Sequence, residues 1–142
     1  MDGDHAAGAL PVPRWAAAVL AAIAAALVPW TLYLTWALPG HHTSQHWEIA
    51  WGGFDIFLAG ILSATAIGLR RGAAWVEASA GVATALLLVD AWFDIVLADP
   101  GGERVEAVAM AALGEVPLAL FCLWIGLNAE RAIRAAGGVR RG

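Results

Sequence analysis

Four apolar stretches make up most of this 142-residue chain, and each is long enough to cross a bilayer. Spanning the hydrocarbon layer takes about 20 consecutive apolar residues in helical form. The stretches run over 15–38, 48–69, 74–98 and 105–127. In lipid every backbone N–H and C=O needs a partner within its own segment, so helix is expected for each. The joints between them, 39–47, 70–73 and 99–104, are short and polar. Joints this short make successive helices antiparallel neighbours. The expected fold is therefore all-α: an integral membrane, up-down four-helix bundle over 15–127, preceded by a short segment, 1–14, and followed by a basic tail, 128–142. The first stretch is longer than the apolar core of a signal peptide and no small-x-small cleavage site follows it, so it reads as a retained helix.

Composition narrows the function classes. The chain is 61% hydrophobic and 14% charged, against about 25% charged for a soluble domain. That deficit excludes a soluble enzyme, a disordered tail and a nucleic-acid binder, and makes the lipid bilayer the first partner. Cys122 is the one cysteine, so an internal disulfide or a CxxC thiolate site is excluded. All eight basic residues are Arg. Arg14, Arg70, Arg71, Arg131, Arg134, Arg140 and Arg141 fall on one side of the expected bundle and Arg104 on the other. By the positive-inside rule both termini and the 70–73 joint face the cytoplasm, and the other two joints face outward from the cell membrane. Ala18, Ala22 and Ala26, and Gly60, Ala64 and Gly68, repeat every four residues, a spacing that lets membrane helices approach closely.

The acids within the spans are the informative residues. A carboxylate inside a bilayer costs about 2.5 kcal/mol or more on insertion scales, yet the spans hold Asp55, Asp90, Asp94 and Glu115. At the helical rise, Asp55 lies roughly 10 Å from the outer face, Asp90 about 12 Å, Asp94 about 6 Å and Glu115 about 15 Å. Three helices thus bring acids to one outer level. Asp90 and Asp94 are four residues apart and share a face of the third helix, and Glu48, Trp51 and Asp55 share a face of the second. Pro117, two residues after Glu115, frees the carbonyl near Leu113. Trp51, Trp92, Phe54, Phe93 and Tyr33 fall at the same level, as does Thr31 beside Pro29, and complete a candidate pocket. No Arg or Lys lies inside a span. The acids are therefore expected to hold protons, share one, bind a cation or meet a cationic substrate, because desolvation disfavours an unpaired charge. Residues 54–59, FDIFLA, echo residues 93–98, FDIVLA, in five of six positions, which repeats an aromatic–acid pair at similar depth. His41, His42 and His46 crowd the first joint, and His46 lies nine residues before Asp55. Asp90, Asp94 and His46 are the candidate ligands for a divalent cation, the one cofactor the residues point to.

The sequences WGGFD (51–55), DAWFD (90–94) and EVPLA (115–119) resemble those of a group of small four-span membrane proteins common in actinobacteria, over about Trp30 to Arg134. The group has no established activity, so the resemblance implies topology and source and carries no mechanism. Small multidrug exporters are also four-span bundles, but they carry their essential Glu in the first span, which here has no acid. Three readings remain. The first is a proton or cation site in a small transporter-like homo-oligomer. The second is an enzyme on a lipophilic, isoprenoid-like substrate, with Asp90 or Glu115 as general acid and aromatic faces stabilising a carbocation. The third is an accessory subunit of a larger membrane complex.

Overall fold

The computed structural model describes residues 12–37 and 47–139. The helices are α1 (Arg14–Ala37), α2 (Trp47–Arg71), α3 (Val76–Leu97), α4 (Gly102–Met110) and α5 (Val116–Val139), with a π-helical turn over Ala111–Glu115 joining the last two. Met110, Ala111 and Val116 all keep right-handed helical dihedrals, so α4, the π turn and α5 form one continuous rod. Among the described residues four helical rods result, antiparallel in sequence order. Each contains an apolar segment of 19 to 28 residues, roughly 28 to 42 Å long, enough to cross a membrane. The chain is a multi-pass, all-α membrane protein. Its surface agrees: Trp15 and Trp75 are exposed near the end that carries Arg70 and Arg71, and Trp30 and Trp92 near the opposite end, the two-belt pattern of interfacial tryptophans. The first is the arginine end of the bundle and the second its acidic end.

Each helix turns one stripe inward at spacings of three and four residues. Ala16, Leu20 and Ala24 do so on α1, Leu58, Leu62 and Ala66 on α2, Val76, Ala80, Ala83 and Leu87 on α3, and Ala119, Cys122 and Ile125 on α5. The α1 stripe differs from the expected one, because Ala18, Ala22 and Ala26 are exposed. In a helix with alanine on every side, small-residue spacing does not select the packed face. α1 packs on α2, α2 on α3, and α3 on α4, the π turn and α5. Among the described residues α1 and α5 are linked by side chains: Trp15 stacks on Phe121 at 5.8 Å and Phe121 on Trp124 at 5.9 Å. Hydroxyls tie the pairs elsewhere. Thr65 donates to Ser79 Oγ at 3.0 Å, and Thr84 reaches the Ala119 carbonyl at 3.3 Å.

The α2–α3 joint is a Schellman turn. Ala73 N–H reaches the Gly68 carbonyl at 3.0 Å and Gly72 N–H the Leu69 carbonyl at 3.4 Å, the paired bonds that close a helix C-terminus. The turn needs a left-handed residue, and Gly72 supplies it at φ 63°. Gly72→Ala should therefore lower the free energy of unfolding by about 1 kcal/mol, the cost of a Cβ in that region. Reversible unfolding in mixed SDS micelles measures it; an unchanged midpoint would mean the turn can re-form without its glycine.

The fourth rod departs from a plain helix at Pro117. A proline within a helix lacks the N–H that would bond the carbonyl four residues back, and its ring crowds that carbonyl. Here that carbonyl is Leu113, as expected, and the chain answers by widening. Val116 N–H bonds Ala111, five residues back, and the π turn ends on Glu115.

Candidate functional site

The inward stripes change character towards the acidic end. On α2 the line Thr65, Leu62, Leu58 continues to Asp55 and Trp51; on α3 the line Ala80, Ala83, Leu87 continues to Asp90, Ala91 and Asp94; on the fourth rod Cys122 and Ala119 continue to Glu115 and Ala111. On α1 the stripe ends in Thr31, 9% exposed. The core thus holds only neutral side chains in its arginine-end portion, with Thr65 and Asn128 its buried polar residues there, and carboxyls at the other. Asp55, Asp90, Asp94 and Glu115 are all half-buried.

These four carboxyls converge. Asp90 lies within electrostatic range of Asp94, Glu115 and Asp55, and Asp55 reaches Asp94 and Glu115 in turn. Asp94 and Glu115 are within side-chain hydrogen-bonding reach of each other. As two carboxylates they have no proton to share, and Glu115 Oε2 is then buried with no partner. Such an orphaned polar atom costs about 1–3 kcal/mol or more. One proton placed between the pair lets the two carboxyls hydrogen-bond, and a proton or cation at Oε2 removes the orphan.

Asp55 is met from α1. Thr31 Oγ1 lies 2.8 Å from Asp55 Oδ2 and 2.9 Å from the Leu27 carbonyl oxygen. The hydroxyl has one hydrogen to donate to these two oxygens. If it donates to Leu27, it can still accept a hydrogen bond from a protonated Asp55. A cavity of about 60 Å³ adjoins this pair, lined by Val28, Thr31, Leu32, Asp55 and Ile56. That is room for a water or a small cation, far below the roughly 300–1,000 Å³ of small-molecule sites.

The aromatic wall is narrower than the sequence implies. Trp51 meets Phe54 at 6.0 Å and Phe93 at 6.3 Å, both edge to face, so the two phenylalanines of the FDI echo converge on one indole. Trp92 is 66% exposed, and Tyr33, 61% exposed, lies against Trp30. Both turn outward, because aromatics at this level serve the membrane interface as readily as the interior. Among the described residues no group of three or more His, Cys, Asp or Glu side chains is arranged to hold a metal. His41, His42 and His46 lie outside the described residues, as does the Glu48 side chain. At the 98–101 joint Arg104 Nη2 donates to the Ala98 carbonyl at 3.0 Å, and Glu103 accepts the Asp99 N–H at 3.3 Å. Those charges bind their own turn.

The feature that sequence reasoning missed is the π turn that presents Glu115; Thr31 is expected at the level of the acids, and the structure adds its contact with Asp55. Thr31 is buried in line with Ala16, Leu20 and Ala24 on α1, which is why it meets Asp55. Compared with known proteins, the chain matches no family model, no curated protein and no solved structure.

Proposed function

We propose that this chain is a small proton- or cation-exchanging membrane protein that works as an oligomer, with Asp94 and Glu115 as the exchanging pair and Asp90 and Asp55 as its electrostatic partners. The observation that carries the reading is the Asp94–Glu115 contact with its buried, unpartnered Oε2. A pair that needs one positive charge to be satisfied is a pair that can take up and release one. Thr31, with an acceptor on either side of its hydroxyl, suits a relay to Asp55. The small cavity beside Asp55 fits a proton carrier or small ion. It does not fit an isoprenoid, which ranks the acid-catalysed enzyme second. Oligomerisation supplies what four rods lack, a path enclosed on all sides. The arginine distribution supports an orientation with Arg70 and Arg71 in the cytoplasm and the carboxyl cluster in the outer half of the cell membrane.

The test is proton flux in proteoliposomes under an imposed pH gradient. The parent protein should collapse the gradient faster than protein-free vesicles, and Glu115→Gln should slow it by about tenfold or more, since a positioned proton-transfer group is worth at least that. The amide keeps the size and hydrogen-bonding capacity of the side chain but cannot carry the proton. Parent flux equal to empty vesicles, with and without added mono- and divalent cations, rejects the reading.

A further inference from the structure

A second concavity lies away from the carboxyls, on the outer face of the α1–α2 pair. It is a groove of about 500 Å³ lined on α1 by Ala21, Ala25 and Val28 and on α2 by Ile56, Gly60, Ser63, Ile67 and Arg70. Its volume falls in the range that holds a small molecule, roughly 300–1,000 Å³. The floor is small and apolar, and Gly60 has nothing within 4 Å of where a Cβ would stand. No described element covers this face.

Its dimensions and its charge identify an occupant. From Ile67 to Ile56 the groove runs eleven helical steps, about 17 Å. One leaflet of hydrocarbon is about 15 Å deep. Arg70 lines the mouth, and the neighbouring Arg71 is exposed beside it. Basic residues at this position, at the end of an apolar channel between helices, suit a lipid phosphate. A second copy of the chain fits less well. Two copies joined through this face about an axis normal to the membrane would bring the Arg70 and Arg71 pairs to one depth, with no acid of the groove lining between them.

We infer that the α1–α2 groove is a binding site for one acyl chain of an anionic phospholipid, with Arg70 holding the headgroup at the arginine end. The bound chain terminates at Val28 and Ile56, which also line the small cavity beside Asp55, so the lipid closes that cavity from the bilayer side. The inference rests on the multi-pass fold and stands apart from the exchange reading.

Native mass spectrometry of the full-length protein, extracted from vesicles of mixed phosphatidylcholine and phosphatidylglycerol, tests it. The parent should retain phosphatidylglycerol over phosphatidylcholine, and Arg70→Gln should reduce that preference by about fivefold, the effect of one basic residue at an anionic surface. Gly60→Leu should fill the groove and remove the retained lipid. The open space at Gly60 means this variant keeps its fold, which circular dichroism and an unchanged melting midpoint confirm. Three outcomes overturn the inference: equal retention of both lipids by the parent, undiminished retention in a folded Gly60→Leu variant, or disulfide cross-linking of Ser63→Cys protomers in the bilayer, which would assign the groove to a second copy.

Discussion

Gly68→Leu is expected to be the most damaging single substitution in the bundle, lowering the free energy of unfolding by about 3 kcal/mol, the upper part of the range for overpacking a close contact. A Cβ at Gly68 would stand 2.7 Å from Val76 Cγ2 and 2.9 Å from two ring carbons of Trp75. The crowding follows from the brevity of the joint. The Schellman turn reverses the chain within four residues, so the first residues of α3 return onto the last turns of α2. The two neighbours differ in what they can yield. Trp75 is 45% exposed and its ring can swing towards the interface, whereas Val76 is 2% exposed and belongs to the core. Val76 is therefore the obstacle. In a double-mutant cycle, Gly68→Ala and Val76→Ala should couple favourably by about 0.5–3 kcal/mol, the range for residues in direct contact. A loss of 3 kcal/mol is roughly a hundredfold in the folding equilibrium, against a total of about 5–15 kcal/mol, so the Leu variant should still fold but give way at much lower SDS. The idea fails if Gly68→Leu unfolds with the parent, or if the alanine pair is simply additive.

The four rods could be read from the chain because one length scale decides them. A bilayer requires about 20 apolar residues per crossing, and the stretches met that requirement with polar joints between. The acids stand out for the opposite reason: each would be costly inside a bilayer, and counting helical steps puts Asp55, Asp90, Asp94 and Glu115 at one expected level; the structure has the same four within electrostatic range of one another. Facing was harder. On α3 the i, i+4 spacing of Asp90 and Asp94 fixed their shared face. On α1 alanine occupies every side, so the repeat at Ala18, Ala22 and Ala26 pointed outward while Ala16, Leu20 and Ala24 packed. Tyr33 and Trp92 show the same ambiguity, since an aromatic near a membrane surface satisfies its apolar ring and polar edge in either direction. The groove beside Gly60 was not legible at all. It comes from the crossing of two helices, and no spacing within one helix records it.

Pro117→Ala should make the protein more stable and less active, and the opposite signs are the substance of the prediction. Proline within a helix costs about 3 kcal/mol relative to alanine. Part of that cost is already relieved by the π turn, in which Val116 N–H bonds Ala111. Alanine at 117 restores an N–H that can bond the Leu113 carbonyl, and the rod can then continue as α-helix through the turn. A gain of about 1–3 kcal/mol in unfolding free energy is expected. The π turn is in effect one extra residue wound into the rod, and one residue of α-helix corresponds to about 100° of rotation. Removing it while α5 stays fixed by Ala119, Cys122 and Ile125 must turn α4 about the axis by that amount, and Glu115, the last of the five residues of the turn, by about a fifth of it, roughly 20°. No residue of α4 is buried, so little packing resists the rotation. A turn of about 20° at the radius of a Glu side chain carries its carboxyl roughly 2 Å, enough to break the contact with Asp94; the proposed shared proton then loses its second oxygen, and flux in proteoliposomes should fall by about tenfold or more, as for Glu115→Gln. A stabilised variant with full flux would show that the pair survives without the π turn, and a destabilised one would show that the turn holds the rod against α3. The predicted outcome, a firmer helix with a broken carboxyl pair, would show why a proline stands two residues after the acid: π turns recur at functional sites, and this one would be what aims Glu115 at Asp94.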